Sequence, residues 1–162
     1  MHLIQIAQIL VLVTLANGGP IVTKKIFGSH FSSPLDAGAL FFDDRPLFGP
    51  SKTVRGILAS FLLTTAGALL LGLGLTIGAI VAAAAMAGDL FSSFSKRRLN
   101  LPPSSQAPGL DQIPESLFPM LACRDALSLT NTDVALGVGV FLVGELILSR
   151  LLFQAHIRDE PY

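Results

Sequence analysis

IGAIVAAAAMAGDLFSSFSKRR, Ile77–Arg98, is the stretch on which the architecture turns. It opens as a run of apolar and small residues long enough, with Leu75 and Thr76 before it, to cross a bilayer, which takes roughly 20 residues. Yet it carries Asp89 inside and closes on Lys96, Arg97 and Arg98. On a helix Asp89, Ser93, Lys96 and Arg97 fall at i, i+4, i+7 and i+8, which is one face. At about 1.5 Å per residue, Asp89 lies roughly 10 Å deeper than Lys96. The result is a polar stripe that reaches from the interface into the membrane. Three basic residues alone read as an anchor that snorkels to lipid headgroups. A carboxylate within the membrane is costly and marks a site, an ion path or a structural ion pair.

The rest of the chain agrees with a membrane setting. Of 162 residues, 51% are hydrophobic and 14% charged, against roughly 25% charged in soluble domains. The length fits one domain, residues 1–162. A formal net charge of zero argues against a nucleic-acid partner. Cys123 is the single cysteine, which excludes an intrachain disulfide or a cysteine zinc site. With no tryptophan and one tyrosine, span ends are read from charges, not from an aromatic belt.

The first span is expected over Leu3–Ala16, and a cleaved signal peptide fits poorly because no Lys or Arg precedes the apolar run. The second is expected from about Ile57 to Leu75 and the third from Thr76 to Phe94, joined as a tight hairpin through GLGLT. Gly74 and Gly78 read as a small-xxx-small packing pair, with Ala82–Ala85 beside them. The last span is expected over Val134–Phe153. Ser116–Leu129 is broken by Pro119, Arg124 and Asp125. The loop Gly18–Gly56 holds Lys24, Lys25, Arg45, Lys52 and Arg55, and the loop after the third span begins with Lys96–Arg98. The positive-inside rule places both in the cytoplasm. Arg150, His156 and Arg158 favour the same side for the C-terminus, which requires Ser116–Leu129 to cross. The expectation is an all-α integral membrane bundle of about five helices in the cell membrane. Its N-terminus is outside and its polar loops form a cytoplasmic site; the oligomeric state is not legible.

Those loops carry the chemistry: PLDAG and DDRPLFGPSKTVRG ahead of the second span, GDLFSSFSKRR and APGLDQ after the third. GPSKT (Gly49–Thr53) fails as a phosphate loop, because Ser51 stands where the Gly before the lysine is needed and Pro46 where the earlier Gly is needed. It still offers Lys52 and Arg55 at a helix N-terminus, where anions are favoured. Carboxylates Asp36, Asp43, Asp44, Asp89 and Asp111 near such cations suit a Mg²⁺–nucleotide site. His2, His30 and His156 are too scattered for a serine or cysteine hydrolase. Phosphoryl or nucleotidyl transfer at the membrane surface is the chemistry these residues suggest.

GDLFSSFSKRR followed by PGLDQ resembles the signature of the CTP-dependent lipid cytidylyltransferases, and the match is nearer to their small branch, the CDP-archaeol synthase family. ANGGP (Ala16–Pro20), LDAG, DDRPLFGPSKTVRG and the terminal RDEPY resemble further motifs of that family in the same order. The resemblance implies transfer of a cytidylyl group from CTP to a membrane phosphatidic acid, archaetidic or diacyl, with Mg²⁺, releasing pyrophosphate. Matching positions are Asn17, Asp36, Asp43, Arg45, Gly49, Lys52, Thr53, Arg55, Asp89, Ser93, Lys96, Arg97, Asp111 and Gln112. By this resemblance Lys96, Arg97 and Asp89 are catalytic, and Asp89 and Asp111, with Glu115, bind metal. The others bind substrate. Two departures stand out: Asp44 replaces a usual Gly, and Pro114 replaces a usual acid, with Glu115 next door as the substitute. Two rival readings are a small transporter or channel subunit using Asp89 and Glu145, and a nucleotide-binding relative without activity. Clustering of the polar groups at one face favours the enzyme. Glu145, in VGELILSR, reads as a packed polar contact beside Arg150.

Overall fold

The computed structural model describes residues 1–102, 105 and 107–154, with Leu152 described by its backbone only; the RDEPY tail, His156 and Arg158 lie outside them. Among the described residues, five helices make up the fold: α1 (Leu3–Phe27), α2 (Val54–Leu70), α3 (Gly74–Arg98), α4 (Gln112–Ala122) and α5 (Asn131–Gln154). Three of them, α1, α3 and α5, are long and apolar enough to span a membrane, and α2 is a shorter apolar helix.

The first span is longer than its apolar run suggests. Instead of stopping at Ala16, α1 continues through Asn17–Pro20 to Phe27, so the loop begins at Gly28 and not at Gly18. Pro20 cannot donate to the carbonyl of Ala16, which would normally break the helix. Here Ser60 Oγ of α2 donates to that carbonyl at 2.5 Å, and Gly19 lets the α2 backbone come close enough to do so. A Cβ on Gly19 would stand 2.7 Å from Ser60 N. Neighbouring hydroxyls that satisfy freed carbonyls are how membrane helices tolerate proline.

The hairpin between α2 and α3 turns at Leu71–Leu73. Gly78 packs at its interface, where a Cβ would be 2.8 Å from Thr65 Cα. Gly74 has no such role: it has open space around it and a positive φ of 81°, so it serves the turn. The segment expected over Ser116–Leu129 forms instead as α4, which starts earlier, at Gln112, and is continued by hydrogen-bonded turns. Among these are Leu127 N to Cys123 O at 3.0 Å and Leu129 N to Arg124 O at 2.8 Å. These turns carry the chain to the face where His2 Nδ1 meets Asp133 of α5 at 2.9 Å. The chain therefore passes five times between two faces.

Its main core joins Ile6, Ile9, Leu12 and Val13 of α1 to Ala68, Val81, Met120, Val134 and Phe141. A smaller cluster, Ala16, Ala85 and Met86 with Ile57 against it, lies beneath the opposite, cation-rich face. The 28–53 loop covers that face. It is closed by bridges between Pro34 and Thr53 and between Leu40 and Pro46.

Candidate active site

Two lysine–aspartate pairs form at this face. Lys52 Nζ reaches both oxygens of Asp89, at 2.5 and 2.7 Å. Lys96 Nζ lies 2.7 Å from Asp111 Oδ1 and 3.0 Å from the carbonyl of Ser105. Burial pulls the Lys52 ammonium down, but Asp89, with Glu115 and Asp111 behind it, outweighs this and holds its pKa above the usual lysine value. The pocket beside the first pair lies between α1, α2 and α3. Pro20, Ile57 and Met86 are its apolar walls, and Ser51, Lys52, Thr53 and Asp89 its polar ones.

Glu115 reaches the same place from α4. It lies beside Asp89 and accepts from Asn17 Nδ2 at 2.6 Å. Its approach depends on Gly88, whose missing side chain admits the Pro114–Glu115 peptide. Pro114 itself stands in the first turn of α4, where its absent N–H has no intrahelical partner to lose. The structure thus brings Glu115, the neighbour of Pro114, to the site.

Asp89, Asp111 and Glu115 are not gathered into one group: among the described residues no three His, Cys, Asp or Glu side chains are arranged to hold a metal. Asp111 is held apart from the other two, one oxygen by Lys96 and the other by the Ala107 N–H at 2.9 Å. What does come together is Asp89, Glu115 and Asn17, whose Oδ1 is buried without a partner. Two adjacent carboxylates and an orphaned amide oxygen are the hard donors that Mg²⁺ takes alongside substrate phosphates, although Lys52 Nζ occupies both oxygens of Asp89 in this structure.

Several residues expected to bind substrate also build the loop. Asp36 accepts from Phe48 N and Gly49 N, both at 2.9 Å, and from Gly38 N at 3.1 Å. Burial raises its carboxyl, but these donors outweigh it and leave the pKa below the usual carboxylate range. Asp43 pairs with Arg98 Nη1 at 2.9 Å. Arg45 Nη1 donates to the carbonyl of Arg98 at 2.5 Å. Arg55 donates to the carbonyls of Gly28 and His30, and Thr53 Oγ1 caps α2 by accepting from Gly56 N at 3.2 Å. Gly49, with φ of 92°, lies against Arg97. Gln112 ties down the turn that carries Asp111. Ser93, Lys96 and Arg97 are buried on the expected α3 face. Arg97 donates from Nη2 to the Pro102 carbonyl at 2.9 Å, and its Nε is buried without a partner.

Two residues escaped the sequence reading, and a third, Glu145, was read as a packed polar contact with a different partner. Ser92, one position before Ser93, donates to the carbonyls of Gly88 and Leu110 and so ties α3 to the PGLDQ turn. Arg98 does more than anchor. It lies over Phe41 and Phe94, at 5.0 and 4.8 Å, and donates to the carbonyls of Arg45 and Pro46. Phe94, four residues before it, was the available signal. Glu145 meets Gln112, a contact that no local pattern announces.

No family model matches the chain. Curated relatives and one solved structure do. The CDP-archaeol synthase of Hyperthermus butylicus is 34% identical over 127 residues, which cover 75% of this chain and 73% of that protein. That of Pyrococcus furiosus is 39% identical over 110 residues, 60% of each. A solved structure of an intramembrane enzyme for archaeal membrane lipid biosynthesis superposes with a TM-score of 0.74 at 28% identity, covering 87% of this chain and 90% of that one. An all-helical fold and these relatives define an intramembrane enzyme of the lipid cytidylyltransferase class. Within that class, the chain belongs to the CDP-archaeol synthase family.

Proposed function

We propose that the protein transfers the cytidylyl group of CTP to the phosphate of a membrane phosphatidic acid, of archaetidic or diacyl type, releasing pyrophosphate. The observation that carries this reading is the convergence of Lys52–Asp89 and Lys96–Asp111 at one face, above an apolar floor. A lipid phosphate oxygen attacks the α-phosphorus of CTP, and the bond from that phosphorus to the oxygen bridging to the β-phosphate breaks. The attacking oxygen is already anionic at neutral pH, so the reaction needs no strong general base. The barrier lies in bringing two anions together, and preorganised cations lower it.

Lys96 and Arg97 hold the triphosphate and receive the charge of the departing pyrophosphate, with the unpaired Nε–H of Arg97 available to an anion. Lys52 lies beside the apolar walls of the pocket and holds the lipid phosphate. Asp89 and Glu115, with Asn17 Oδ1, would hold Mg²⁺, which neutralises phosphate charge when bound. The site faces the cytoplasm and the N-terminus lies outside, in keeping with Lys24, Lys25, Arg45, Lys52, Arg55 and Lys96–Arg98 at one end of the bundle.

The test is conversion of labelled CTP to CDP-lipid by purified protein with Mg²⁺, with archaetidic and diacyl phosphatidic acids offered in parallel. Turnover on one lipid, lost in Asp89→Asn, supports the reading and identifies that lipid. Folded protein that converts neither refutes it.

A further inference from the structure

Glu145 stands about four turns into α5, and every other residue from Val134 to Leu148 is apolar or glycine. A carboxylate at such depth is costly and rarely without a role. Its Oε2 accepts from Gln112 Nε2 at 2.8 Å, and its Oε1 accepts from the buried Ser149 hydroxyl at 3.2 Å. The other end of the Gln112 amide is also committed, since Oε1 accepts from the Gly109 N–H at 2.8 Å. Gln112 is 3% exposed and directly follows Asp111, the partner of Lys96.

A continuous line of hydrogen bonds therefore runs from α5 through Gln112 to the Gly109 turn, and that turn sets Asp111 against Lys96. Both carboxylate oxygens of Glu145 are engaged within the protein, and Gln112 is the partner that links it by hydrogen bonds to the Asp111 turn.

We propose that Glu145 is a positioning residue for cytidylyl transfer: it locks the Gln112 amide and thereby fixes the Pro108–Gln112 turn that presents Asp111 to Lys96. In its effect on activity the proposal rests on the cytidylyltransferase reading; in its effect on the turn it does not.

Protein in lipid nanodiscs provides both readouts. Glu145→Ala lowers kcat/KM for CTP by about tenfold, as expected for losing a hydrogen bond to a charged group, while KM for the lipid phosphate stays within about twofold. Glu145→Gln keeps an acceptor for Gln112 and restores activity to within about threefold of wild type. Gln112→Ala combined with Glu145→Ala costs no more than Gln112→Ala alone, because the two act as one unit. Amide hydrogen exchange of residues 109–112 accelerates in Glu145→Ala and not in Glu145→Gln. Wild-type behaviour of Glu145→Ala in both readouts overturns the proposal. So do additive losses in the double variant, or a Glu145→Gln as defective as the alanine. If Glu145→Ala does not fold, Glu145→Met keeps the side-chain length without the acceptor, and the same outcomes decide. If the wild-type protein converts no CTP, the activity reading fails, and the exchange result alone still upholds or overturns the positioning role.

Discussion

Gly88→Ala probes how closely α4 must lie on α3 for the site to exist. A Cβ on Gly88 would stand 2.5 Å from Pro114 C and 2.7 Å from Glu115 N, where ordinary contacts begin at 3.4 Å. The obstructing atoms are backbone, so no side chain can rotate away. Pro114 O lies nearer still, so clearing all three atoms displaces the start of α4 by about 1 Å, a misplacement that costs about 10²-fold in rate. That displacement carries Glu115 away from Asp89 and Asn17. Overpacking of this kind destabilises by about 1–3 kcal/mol, so the protein is expected to stay folded with a reduced Tm. The assay is CTP turnover on the lipid phosphate that supports activity, with thermal unfolding followed on the same samples. Gly139→Ala, whose Cβ meets nothing within 4 Å, serves as the control and leaves turnover unchanged. A Gly88→Ala protein that turns over CTP like wild type would refute the argument that α3–α4 contact sets the site.

Asp36 and Arg98 test the loop that covers the site. The Asp36 carboxyl titrates below its unfolded value, near 3.9, so its stabilisation is fully present above that pH and fades as pH falls through the lower folded value. Asp36→Ala is expected to cost about 2 kcal/mol at pH 7, and unfolding measured from pH 7 to 3 should show the gap from wild type closing below about pH 4. A gap that does not change with pH would mean that the carboxylate is not the stabilising form. Arg98→Lys keeps the charge but loses the planar fork that lies over Phe41 and Phe94 while donating to Arg45 and Pro46 carbonyls. A loss of about 1–2 kcal/mol and faster amide exchange across residues 41–49 are expected. Exchange that matches wild type would show that the clamp is not needed.

Much of this protein was legible in the amino-acid sequence. Apolar run lengths announced the helices, and the distribution of Lys and Arg announced one cationic face. The Asp89–Arg97 stripe followed from helical periodicity alone, because it lies within a single element. The motif order marked the family. Where the reading fell short, the deciding contact joined residues far apart in the chain. The first span was expected to end at Ala16, but α1 runs on past Pro20 because the hydroxyl that satisfies the Ala16 carbonyl comes from Ser60. Asp111 looked like a partner of Asp89, but Lys96 and the Ala107 N–H occupy its oxygens. That Asp36, Asp43 and Arg45 also fold the loop that carries Lys52 was not legible either. Periodicity and spacing report which side chains share a face of one helix. Which lysine meets which carboxylate depends on how closely two backbones approach, and at Gly19, Gly78 and Gly88 that distance was settled only when the helices packed.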